Sequence, residues 1–73
     1  MDSSPLKKLR EELNMSQEGF ARHIGTSGRT ISRWERGNSI PSFTIPQMKA
    51  LDELLRAHGK TLQDLPDSFA AEL

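Results

Sequence analysis

The 73-residue sequence predicts an all-α fold, a compact domain of five short helices, on three observations. Strand formers are scarce, since Val and Tyr are absent and only four Ile stand against nine Leu; pleated strands favour β-branched and aromatic side chains, whereas Leu is at home in helices. Apolar residues recur at i, i+3 and i+7 in two places, Leu6-Leu9-Leu13 and Met48-Leu51-Leu55, the spacing of one helical face. Between these stripes Ser, Thr and Gly punctuate the chain at helix-length intervals, as caps and stops do. No internal repeat or low-complexity segment interrupts the pattern, so residues 1–73 read as a single domain.

Each element has a local cause. Ser4-Pro5 starts the first helix, Ser as the cap and Pro at the first helical position. Arg10 falls inside the leucine stripe of that helix, where a charge requires a partner. Asn14-Met15 breaks the helix, and Ser16 caps a second over Gln17–Ile24 with Phe20, Ala21 and Ile24 inward. Gly25-Thr26 makes a tight turn, Gly25 being suited to a left-handed helix end. Ser27 caps a third helix that reaches Arg36, and Gly37 ends it as Gly25 ended the second. A looser segment, Asn38 to Phe43, leads to a fourth helix capped by Thr44, with Pro46 tolerated in its first turn. Its Met48-Leu51-Leu55 stripe is expected in the core, with Leu54 beside it. After Gly59, Thr61 opens a short fifth helical turn holding Leu62 and Leu65; Pro66 stops it, and 66–73 read as a tail.

Composition removes several function classes. With no cysteine there is no disulfide, thiolate nucleophile or cysteine-ligated zinc, and two histidines, His23 and His58, are too few for a metal cage. No cofactor or metal is therefore expected. No apolar run approaches the ~20 residues that span a bilayer, and no signal peptide is evident, so the expected location is the cytoplasm. A chain of 8.2 kDa has little material for both a core and a walled cleft, and a Ser32–His23 nucleophile would lack a positioned acid, so no enzyme is expected. The run Gly25-Thr26-Ser27-Gly28 follows no strand and lacks the Walker lysine, which dismisses a phosphate loop.

Ten basic and ten acidic residues cancel, but unevenly. Residues 22–36 carry four arginines against Glu35 alone, net +3. On a helix stepping ~100° per residue, Arg29, Arg33 and Arg36 fall within an arc of roughly 60°. Ile31, Trp34 and Glu35 gather on the other side, with Ser32 and Gly28 on the flank between. A solubility face normally mixes signs through i,i+4 pairs; this arc holds no acid. The planar guanidinium fork matches phosphate oxygens and the O6/N7 edge of guanine in a DNA major groove. Trp34, beside Ile31, is expected in the core and not as a base-stacking platform.

Two helices joined by a short Gly-containing turn make a helix-turn-helix unit, and the stretch QEGFARHIGTSGRTISRWERG, residues 17–37, resembles the lambda-repressor/Cro-like (XRE) family. Gln17 opens the second helix, Ala21 lies at the helix crossing, Gly25 in the turn, Ile31 and Trp34 in the core, and Glu35-Arg36-Gly37 at the ending; the likeness runs over residues 6–65. The resemblance implies sequence-specific double-stranded DNA binding by a transcriptional regulator, with the third helix (27–36) in the major groove and the second across the backbone. It assigns base contacts to Ser27, Arg29 and Arg33, with Ser32 as a further candidate, and backbone contacts to Gln17, Asn38 and Ser42; Arg36, on its charge and not on the resemblance, is an added backbone-contact candidate. Gly28 departs from the family pattern, which often has a long polar side chain there. The misplaced charges of Arg10 and Glu35 suggest a partly buried salt bridge between the first and third helices, which the resemblance also implies.

A single such domain reads few base pairs, so a homodimer on a palindromic operator is expected. Ile40, Phe43, Leu62, Leu65 and Phe69 exceed what the core obviously needs and form the candidate interface. The competing reading is an interaction module, an antitoxin or co-regulator that binds a second protein through its acidic C-terminal part, with Phe69 and Leu73 in the tail.

Overall fold

Four side-chain caps set the positions of the four α-helices in the computed structural model, which describes residues 4–65 and 69. Ser4 accepts from the Lys7 N–H at 3.2 Å and begins α1, Pro5–Glu12. Ser16 accepts from Gly19 at 3.0 Å and begins α2, Gln17–Ile24. Ser27 accepts from Thr30 at 3.2 Å and begins α3, Gly28–Arg36. Thr44 accepts from Gln47 at 3.2 Å and begins α4, Ile45–Ala57, while the Gln47 carboxamide oxygen accepts from the Thr44 N–H at 2.9 Å. Each cap satisfies an amide that the first helical turn leaves unpaired.

The stops are equally local. Asn14 (φ 57°) follows α1, and Gly25 (φ 87°) and Gly37 (φ 80°) end α2 and α3 in the left-handed region. A Cβ on Gly25 would meet nothing within 4 Å, so a substitution there tests backbone conformation alone. Gly25→Ala should lower stability by ~1–2 kcal/mol, and Gly25→Asn by less, because Asn tolerates the left-handed region better. Urea melts of the two variants check the order; equal losses would contradict it.

The fifth helix is a correction. Leu62–Asp64 forms a single 3-10 turn, so the described residues hold four α-helices and that turn. Between Gly59 and Pro66 there is no room for a cooperative α-helix, and Leu65 is already extended (φ −86°, ψ 153°), as a residue before proline prefers. The Asp64 carboxylate accepts from the Thr61 N–H at 2.9 Å and closes the turn. Of the tail at 66–73, only Phe69 lies among the described residues, so Leu73 is outside them.

One core joins all four helices: Leu6, Leu9 and Leu13 from the first segment, Phe20, Ala21 and Ile24 from α2, Ile31 and Trp34 from α3, and Leu51, Leu54 and Leu55 from α4. The largest contact is between α2 and α3, with α4 packed on α2 and α1 on α3. Met48 departs from expectation, being 37% exposed. The first turn of α4 overhangs the α2–α3 turn, where Gln47 Nε2 donates to the Gly25 carbonyl at 3.3 Å, so its contact there is polar and the apolar stripe ends at Leu51. Trp34 is buried and stacks edge-on to Phe43 (centroids 5.3 Å apart), which meets Phe69 in turn at 6.1 Å. Phe43, Leu65 and Phe69 therefore pack against the core, leaving Ile40 and Leu62 exposed from the candidate dimer set.

Candidate nucleic-acid interface

The outward face of α3 follows from what its inward face must bury. Ile31, Trp34 and Glu35 are buried, which turns Arg29, Arg33 and Arg36 to solvent. With Ser32 and Asn38 these three arginines line one open concavity. Asn38 is placed there by the helix end, its N–H donating to the Arg33 carbonyl at 2.9 Å.

The electrostatics of this face rest on pairing. Among the described residues the ion pairs are Arg10–Glu35, Arg56–Asp52 and Lys60–Glu12. None involves Arg29, Arg33 or Arg36, whose guanidiniums remain available to an external anion or a base edge. Arginine is the side chain best suited to bidentate contact with either.

A buried ion pair fixes the helix that carries them. Arg10 Nε donates to Glu35 Oε2 at 2.8 Å and Nη2 to Oε1 at 3.2 Å, a bidentate contact from α1 to α3. Gln17 Nε2 donates to Oε1 at 3.0 Å, so the first residue of α2 braces the same carboxylate. Arg10 Nη1 also donates to the Met15 carbonyl at 2.9 Å. The hydrogen bond to Glu35 raises the Arg10 pKa above its ordinary value, against the opposing effect of burial.

The other singled-out residues are placed as follows. Ser27 is exposed, but its hydroxyl caps α3 and lies 3.0 Å from that of Thr30. Gln17 is half-buried with its amide nitrogen engaged by Glu35. Ser42 is exposed in the loop and is not part of the concavity lined by the arginines. His23 and His58 are exposed.

Two residues escape the sequence reading. Gln47 ties α4 to the α2–α3 turn, and its signal was the Thr44-x-x-Gln47 capping-box spacing. Glu18 lies against Gly28, and its only sequence signal was the missing side chain at Gly28.

A helix-turn-helix family profile matches residues 6–65, the same helices that present and brace this face. The chain belongs to the helix-turn-helix family. It is a DNA-binding helix-turn-helix domain of the XRE/Cro type, as the resemblance implied. It is 39% identical over 59 residues to antitoxin HigA-2 of Vibrio cholerae, covering 81% of this chain and 54% of that protein. It is 42% identical over 52 residues to the type II methyltransferase M.SsoII of Shigella sonnei, covering 67% of this chain and 13% of that one. The helix-turn-helix chain thus spans about half of the first relative and a small part of the second. No solved structure matches it. Among the described residues, no helix is long and apolar enough to cross a membrane.

Proposed function

We propose that this helix-turn-helix chain is a non-enzymatic transcriptional regulator that binds double-stranded DNA sequence-specifically, reading the major groove with α3. The observation that carries this reading is the exposed arc of Arg29, Arg33 and Arg36, without a carboxylate partner among the described residues, on a helix fixed by the Arg10–Glu35 pair. Arg29 and Arg33 read bases with Ser32 and Ser27; Gln17, Arg36, Asn38 and Ser42 hold the backbone. The amides at the start of α2 add to the phosphate grip. The working unit is a homodimer on a palindromic operator, with Ile40 and Leu62 as the exposed apolar groups of its contact.

Selection from a random duplex library tests this. The expected product is a motif of two inverted half-sites whose centres lie ~10–10.5 base pairs apart, or a multiple of that. Enrichment of no motif contradicts base reading, and a monomeric mass in light scattering at high micromolar concentration removes the dimer.

The similarity to a protein named an antitoxin supports a second reading, in which the chain also binds a toxin. It predicts a stoichiometric protein partner that survives removal of DNA by nuclease; purification as a DNA-free homo-oligomer favours the first reading.

A further inference from the structure

We propose that Glu18 is a specificity-determining residue of the DNA interface, its carboxylate accepting a hydrogen bond from the N4 amino group of a cytosine beside the start of α3. The inference rests on α3 entering the major groove, and it adds a base-reading residue from outside that helix.

Gly28 is the first residue of α3, on the flank between the buried face and the arginine arc. A Cβ built on it would lie 2.8 Å from Glu18 Cγ and 3.4 Å from Glu18 Cα. The Glu18 side chain therefore occupies the volume that a side chain at position 28 would fill. Gly28 lacks a group to reach a base, and the absence of that group is what admits Glu18.

The carboxylate is unengaged. Glu18 is exposed, and among the described residues no hydrogen bond or ion pair reaches its side chain; Glu11 and Glu53 are unbonded too, but of the three it is Glu18 that lies against Gly28. It stands in the first turn of α2, over the first turn of α3. In a docked helix-turn-helix the N-terminal residues of the reading helix approach the base edges.

Chemistry then selects the base. An ionised carboxylate only accepts hydrogen bonds. In the major groove guanine offers O6 and N7 and thymine offers O4, all acceptors, which repel it. Adenine sets an acceptor N7 beside its amino group, whereas cytosine presents a donor alone. The same negative charge opposes every phosphate nearby, so Glu18 lowers affinity for DNA in general while sharpening the choice of one base pair.

The test uses the whole chain as wild type, Glu18→Ala, Glu18→Gln and Gly28→Ala. Each undergoes random-duplex selection and is then titrated against the enriched site and its single-base-pair variants. The wild-type site is expected to contain a cytosine outside the guanines read by Arg29 and Arg33, preferred by about fivefold or more. In Glu18→Ala that preference falls to about twofold or less, and in Glu18→Gln it moves toward adenine, which a carboxamide pairs bidentately. Both variants bind random duplex at least as tightly as wild type, and the guanine positions stay unchanged. Gly28→Ala pushes Glu18 aside and weakens the same cytosine preference with the carboxylate intact. An identical motif in wild type and both Glu18 variants overturns the proposal, as does a uniform loss at all positions with a lowered melting temperature, the mark of a helix-stabilising role. If wild type itself enriches no motif, the groove-reading function has failed and this inference with it, a result distinct from a motif indifferent to Glu18.

Discussion

Arg10→Met alone is expected to lower stability by ~3–5 kcal/mol, because it leaves the Glu35 carboxylate buried with one neutral donor. The Glu35 side chain is 5% exposed and that of Arg10 12%. After the substitution only Gln17 Nε2, at 3.0 Å, remains on the carboxylate. For a chain of 73 residues the whole stability is ~4–11 kcal/mol at a typical value per residue, so the loss is a large part of the total. Glu35→Leu alone should be milder, since Arg10 keeps its bond to the Met15 carbonyl and stands nearer to solvent. Arg10→Met with Glu35→Leu removes both charges and replaces them with apolar groups of similar volume, which is often close to neutral. The double variant should therefore be more stable than Arg10→Met. Urea melts of the four proteins form a double-mutant cycle, and strictly additive losses would show that the contact carries no coupling.

This pair also marks how far the sequence could be read. An arginine inside a leucine stripe and a glutamate on the inner face of α3 each lack a reason to be there until they meet, and that is legible without coordinates. The caps were legible for the same kind of reason: Ser4, Ser16, Ser27 and Thr44 each act within three residues of their own position. The arginine arc needed only the helical period and the burial of Ile31 and Trp34. Contacts between elements were harder. Met48 has the spacing of a core residue, and its exposure depends on where the tip of α4 stops over the α2–α3 turn. Phe43 and Phe69 read as surplus apolar surface, but Trp34 collects them in a chain of edge-on rings. At Gly28 the sequence shows a missing side chain, and only the packing of α2 on α3 shows that Glu18 fills the space. Local hydrogen bonds and periodicity are written within a few residues; the neighbour that arrives from another helix is not.

Arg33→Ala is expected to weaken binding to the selected site by ~1–3 kcal/mol for each half-site and to relax the preference at one base pair. In a dimer the contact is lost twice, so the full effect reaches ~2–6 kcal/mol if the two half-sites act independently. The fold should not respond: the side chain is exposed and no described carboxylate pairs with it, and such surface changes usually stay within ~0.5 kcal/mol. Gln17→Ala should behave differently. It removes the bond that holds Glu35 and, with it, the backbone contact proposed for Gln17, so it should weaken cognate and random duplex alike and lower the melting temperature. Arg36→Ala, if Arg36 meets a phosphate, should reduce the slope of log affinity against log salt by about 1 without changing the motif. Titrations on cognate and random duplex at several salt concentrations separate the three outcomes. The decisive comparison is the ratio of the two affinities, since the phosphate attraction common to all sequences divides out and what remains is the reading of bases. If Arg33→Ala lowers both affinities by the same factor, its guanidinium holds the backbone, and base reading on α3 would have to come from Arg29 and Ser32.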